Sequence, residues 1–195
     1  VGMVDAFALN VTNPSLAIKL DAKNTTRIFA IAVKPSNVRL KNIVATSSGD
    51  DGTHTAANLV DARLTTFFQS TTTEHDGDPV YGSYVDFKLK DPIQYFSMDF
   101  ISRVSGYSLA TVPNEVHLYV STDGTNWTLC NKIKNMQKDF TKGGQTVNYG
   151  NYNAGQPVGY IRWAVISGGD DGNLDFRAQK TTANWCAADI NIYGK

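Results

Sequence analysis

The chain has 195 residues, with Lys plus Arg at 18, Asp plus Glu at 18 and a hydrophobic fraction of 42%. That length suits one all-β domain with an appendage, buries enough surface to fold without a metal or disulfide, and the hydrophobic fraction excludes a disordered chain. The zero formal charge and scattered basic residues argue against nucleic acid, and against an anionic membrane held by charge alone.

Val1-Gly2-Met3-Val4-Asp5 shows no basic region leading into an apolar run, so the chain reads as a trimmed or mature fragment. No later stretch approaches the roughly 20 apolar residues of a membrane helix, so membrane insertion is not expected. Residues 1–37 carry three short strand patterns, Ala6 to Val11, Leu16 to Leu20 and Arg27 to Val33, followed by the linker Val33-Lys34-Pro35-Ser36-Asn37. Three short strands are too few for a core of their own. This part is therefore expected to be an N-terminal β extension or the remnant of a preceding β domain.

From residue 38 onward the dominant period is two, the pattern of strands with one buried face. Tyr84 to Leu89 alternates until Asp91-Pro92, which reads as a turn. Phe96 to Ile101, Glu115 to Ser121, Tyr160 to Ile166 and Ala188 to Tyr193 are further strands. In the clearest, Val116, Leu118 and Val120 share one face and Glu115, His117 and Tyr119 the other. Thr122-Asp123-Gly124-Thr125 predicts a tight turn in which glycine supplies a positive φ. Short strands with frequent turns predict a sandwich or barrel. Cys130 and Cys186 make no disulfide framework; pairing and burial as free thiols both stay open.

Asn58-Leu59-Val60-Asp61-Ala62-Arg63-Leu64-Thr65-Thr66-Phe67-Phe68-Gln69-Ser70 resembles the opening signature of discoidin-like (F5/8 type C) modules. Three more pieces follow in the family's order. Met98 to Arg103 looks like the strand ending in a "PR" loop, with Ser102 replacing the proline. Ser121 to Trp127 is similar to the family's hairpin, and Cys186 to Gly194 to its closing strand. The resemblance covers residues 38–195 and implies a jelly-roll β-sandwich of about eight antiparallel strands with loops gathered at one end.

It also implies function. Many carbohydrate-binding relatives hold a structural calcium beside the opening motif, and the matching positions here are Asp61, Thr66 and Asp189, with backbone carbonyls of 59–64. Ala62 stands where the family has glycine, Arg63 where Asp or Asn is common, and Asp189 where Glu is usual. Asp61 capping a metal-free turn is the alternative. Sugar recognition needs an aromatic face for the ring's C–H side and planar polar groups for its hydroxyls. The long insertions Thr71 to Ser83, Arg103 to Asn114 and Ser167 to Trp185 offer His75, Arg103, Tyr107, Phe176, Arg177 and Trp185. His75 and Arg103 fall where the resemblance implies sugar contacts. Each has a bland reading as well: a solvated His75, an Arg103 paired with Asp76 or Asp78, a Trp185 that caps the core.

No metalloprotease or serine-hydrolase motif is present, and Asp170, Asp171 and Asp175 with Glu74 read as turn formers before they read as a glycosidase pair. The expectation is a non-catalytic, monomeric glycan-binding module within a larger secreted, periplasmic or cell-surface protein. A protein- or phospholipid-binding adhesion module with Tyr107-Ser108-Leu109 or Val80-Tyr81 as apolar spikes, or a spacer without ligand, are the alternatives.

Overall fold

The computed structural model describes residues 38–71, 83–168, 174–175 and 185–194. The expected N-terminal extension, residues 1–37, lies outside them. The described part is all-β: β1 (Val44–Ser47), β2 (Phe68–Gln69), β3 (Tyr84–Ile101), β4 (Glu115–Ser121), β5 (Thr128–Lys134), β6 (Thr146–Gly168), β7 (Leu174–Asp175), β8 (Cys186–Ala187) and β9 (Asp189–Gly194). The strands pair antiparallel in the order β1-β3-β6-β4-β5, with β9 on β3 and β7 on β6, while β2 and β8 form a separate ladder.

Two long strands build both layers of the sandwich. The first half of β3, Tyr84 to Lys88, pairs with β1 and with Tyr160 to Ala164 of β6. Its second half, Phe96 to Ile101, pairs with β9 and with Thr146 to Tyr152. Between the halves the register shifts at Lys88/Ile93 and Ile93/Tyr95, the bulges that let a strand turn a corner between layers. Asp91-Pro92, expected as a turn that ends a strand, is this corner instead. Proline is tolerated there because residues 89–92 have no register partner on β6 and no ladder hydrogen bond is lost.

The core is aromatic at its centre. Phe100 stacks on Trp163 at 5.7 Å and meets Phe140 edge-on at 5.4 Å. Leu59 and Phe68 of the opening motif and Ile190 and Ile192 of the closing strand are also fully buried. β4 departs from the one-face expectation: Val116, Leu118 and Val120 are buried, but so are His117, Tyr119 and Ser121. Polar pairing makes burial of the second face tolerable. His117 Nε2 lies 2.7 Å from Glu115, and Tyr119 is in register with Arg162, whose guanidinium is paired twice with Asp86. Cys130 and Cys186 are both free thiols.

Candidate functional site

The loop after β1 is shaped by two aspartates that spend their oxygens on their own backbone. Asp50 accepts from the Gly52 amide and the Ser47 hydroxyl. Asp51 accepts from the amides of Thr53 and His54, and its other oxygen meets His54 Nδ1 at 2.6 Å. These bonds, the imidazole foremost, hold the Asp51 carboxyl down to about 2. The result is a fixed His54 ring, whose backbone carbonyl also accepts from the Gln69 amide at 3.0 Å.

Phe67 enters from the end of the opening motif, its carbonyl tied by the Asn58 amide group at 2.8 Å. Its ring stacks on His54 with centroids 3.9 Å apart and an 18° tilt. Arg103 Cζ lies 3.7 Å from the same ring's centroid. Two groups that close cannot share one face, so Phe67 is sandwiched between imidazole and guanidinium. Arg103 is held from its other sides as well. Its Nε donates to the Ser105 carbonyl at 2.5 Å. Gly106, at φ +68°, passes so close that a Cβ there would sit 3.2 Å from Nη2. At its root, Ser102 is fully buried, its hydroxyl donating to the Lys142 carbonyl at 2.9 Å and accepting from the Gln145 amide at 3.1 Å. The hydroxyl staples two loops together at the position where the related motif has proline.

Among the expected site residues, Arg103 is thus at the centre of a built constellation. Tyr107 is half-buried, packed partly against the core, and burial pushes its phenol pKa up. Trp185 takes its core-capping reading: it is 1% exposed, its indole N–H donates to Ser83 at 2.9 Å, and its ring packs on Phe68 at 4.7 Å. With its polar atom satisfied and its faces covered, it is a core residue, not a ligand platform. His75, Phe176 and Arg177 lie outside the described residues, as do Val80 and Tyr81. Leu109, like Tyr107, packs partly against the core, so the described half of the apolar-spike alternative loses its side chains.

Sequence reasoning missed His54 and Phe67. The long insertions drew the search, whereas the stack stands on a short loop. Its signal was Gly49-Asp50-Asp51-Gly52-Thr53-His54, a run of turn-forming residues directly after a strand.

The candidate metal residues also converge. Thr66 Oγ1 is 2.8 Å from Asp61 Oδ2 and 3.0 Å from the Arg63 carbonyl, and the Arg63 amide donates to Asp61 Oδ1 at 2.8 Å. Ala62 adopts φ +64°, so the loop keeps the left-handed turn that glycine makes more readily. Arg63 is exposed. Asp189 is 2% exposed; Arg39 reaches its Oδ2 at 3.3 Å, and its Oδ1 has no hydrogen-bond partner. Burial, opposed by Arg39 and reinforced by the charge of Asp61, pushes the Asp189 carboxyl up to about 6. Among the described residues no three His, Cys, Asp or Glu side chains cluster, so any ion here would rest largely on hydroxyl and carbonyl oxygens.

No family model and no curated protein matches the sequence. Solved structures do match. A third family 32 carbohydrate-binding module, CBM32-3, from a family 31 glycoside hydrolase of Clostridium perfringens aligns at TM-score 0.59 and 18% identity, over 80% of this chain and 95% of that one. The family 32 module of Clostridium perfringens NanJ, solved in complex with galactose, aligns at TM-score 0.53 and 13% identity, over 77% and 93%. An F5/8 type C domain from Bacteroides fragilis aligns at TM-score 0.57 and 16% identity, over 83% and 99%. The described residues thus have the discoidin-type sandwich fold shared by these modules.

Proposed function

We propose that this chain is a non-catalytic carbohydrate-binding module whose glycan docks at the loop end around His54, Phe67 and Arg103. The observation that carries the reading is the three-layer stack of imidazole, phenyl and guanidinium. Three side chains from three separate loops are held there by their own contacts, so the surface they present is set before a ligand arrives and little of the ordering cost falls on binding. The outer face of the half-buried His54 ring offers a π surface for a sugar's C–H side. Arg103 offers planar donors for its oxygens. The galactose complex of the NanJ module, which has the same fold, supports a sugar as the ligand class. A module of this kind belongs in a longer secreted or surface-attached protein.

A structural calcium is part of the proposal. Asp61, Thr66, the Arg63 carbonyl and Asp189 would hold it; the first three gather their oxygens about 3 Å apart, as around a hard cation, and Asp189 is near enough to feel the charge of Asp61. The buried Asp189 Oδ1 without a partner is a ligand atom in want of a cation. The ion would brace the opening loop against the last strand; it supplies no chemistry to a substrate.

The site is shallow, so affinity for a single sugar is expected at roughly 0.1–1 mM, raised by multivalency in the parent protein. A glycan array with the intact chain tests the proposal, run beside Arg103→Ala and His54→Ala. Selective binding that both variants lose, with unchanged melting temperature, is the expected result. Binding that survives both substitutions places the site elsewhere.

A further inference from the structure

Two arginines of the described residues are immobilised on aromatic rings, and they differ in one respect. Arg162 lies 3.9 Å from the ring of Tyr84 and 4.1 Å from that of Trp127. It completes its shell with Asp86, Nε to Oδ1 at 2.5 Å and Nη2 to Oδ2 at 2.7 Å. Arg103 is held as firmly, by Phe67 on one face, Gly106 against Nη2 and Ser105 at Nε. Among the described residues, however, no carboxylate pairs with it: the ion pairs there join Arg39, His54, His117, Lys134 and Arg162 to their acids. The nearby acids of the β1 loop, Asp50 and Asp51, are already committed to backbone amides, Ser47 and His54.

A guanidinium donates and never accepts. A neutral sugar hydroxyl that accepts from it must still hand its own proton on, to a side chain or to water. The acceptor left over in the stack is His54 Nε2, because Nδ1 faces Asp51; it lies across the Phe67 ring from Arg103. A carboxylate or sulfate group makes no such demand, since it only accepts, and a planar guanidinium takes two of its oxygens at once.

We infer that the glycan bound here is acidic, and that Arg103, its Nε held by the Ser105 carbonyl, takes a carboxylate or sulfate ester of the saccharide through the terminal nitrogens of its guanidinium. This rests on the loop-end binding reading above and names its ligand class. His54 Nε2, on the other side of the stack, accepts a hydroxyl of the same or the neighbouring sugar.

Calorimetric titration of the intact chain tests it with four probes: oligogalacturonate, its methyl ester, a neutral β-galactose oligomer and a 6-sulfated galactose oligomer. The expected result is that one or both anionic probes bind at least about tenfold more tightly than the ester and the neutral oligomer. Which anionic probe binds identifies the group. The preference should shrink as salt rises and vanish in Arg103→Gln, while Arg103→Lys, a point charge without the fork, keeps part of it. Lys90→Gln, which removes an exposed cation on β3 outside the stack, should leave all four titrations unchanged. Equal binding of acid and ester, lost in Arg103→Gln, overturns the acidic ligand and leaves the glycan site standing. Failure of these probes together with a silent glycan array removes both.

Discussion

At the scale of single residues, the geometry of Arg103 depends on a glycine that touches no ligand. Gly106 sits at φ +68°, where a side chain is strained, and a Cβ would press on Nη2 at 3.2 Å and Cζ at 3.4 Å. Gly106→Ala should therefore tilt the guanidinium off Phe67 and weaken glycan binding about three- to tenfold, while the left-handed backbone costs about 1 kcal/mol of stability. Gly155→Ala separates the two effects. It has the same strained φ, +79°, in open space on the far side of the corner, and should lower the melting temperature without moving the affinity. Binding lost equally in both variants would reduce Gly106 to a stability residue. Arg103 was legible in the sequence because it ends a motif, and a motif fixes position. His54 and Phe67 were not, because their meaning lies in a stack between loops that no spacing records. Trp185 kept two readings for a related reason: an aromatic next to a loop and next to a strand looks the same in sequence, and only the partners Ser83 and Phe68 tell the two apart.

At the scale of elements, alternation located the strands well but cut β3 in two. Period-two burial runs through the first half, while the second half is buried on both faces, and between them Asp91-Pro92 places a signal that normally ends a strand. The bulges at residues 88–95 carry the chain around the corner, and bulges have no sequence signature strong enough to oppose proline. Arg162 was equally silent, a charged residue in a strand whose partners lie on two other segments. It joins β6 to Asp86 on β3 and to Trp127 just before β5, so it ties the central strands of one layer across their outer face. Arg162 is 9% exposed. Arg162→Met should then leave Asp86 half-buried without its partner and cost about 3 kcal/mol. The double variant with Asp86→Leu should recover a good part of that loss, since an apolar pair needs no solvation. Chemical denaturation of the four proteins of the cycle measures it, and near-additive losses would show that the pair is not coupled.

At the scale of the whole molecule, the candidate calcium site is where the chain's two ends of the domain meet. Arg39 lies beside the start of the described residues and pairs with Tyr193 across an isolated bridge; Asp189 begins the last strand; Asp61 and Thr66 belong to the opening loop. Charge at Asp189 therefore bears on global stability, and its sign can be worked out. Without metal, the folded carboxyl rises from 3.8 to about 6, so between those values the folded state holds a proton that the unfolded state has released. Stability from this group is then greatest below about pH 4 and falls as pH rises through 6, by about 3 kcal/mol in all. Calcium reverses the slope, because it binds the ionised carboxylate and replaces the missing counter-charge. In EDTA, the melting temperature should fall less between pH 5 and pH 7 for Asp189→Asn than for the native chain. In millimolar calcium, the native chain should gain most at pH 7 and progressively less toward pH 5, and Asp189→Asn should gain little at either. A native chain indifferent to calcium at pH 7 would leave Arg39 as the only cation Asp189 needs, and the loop as a metal-free turn capped by Asp61.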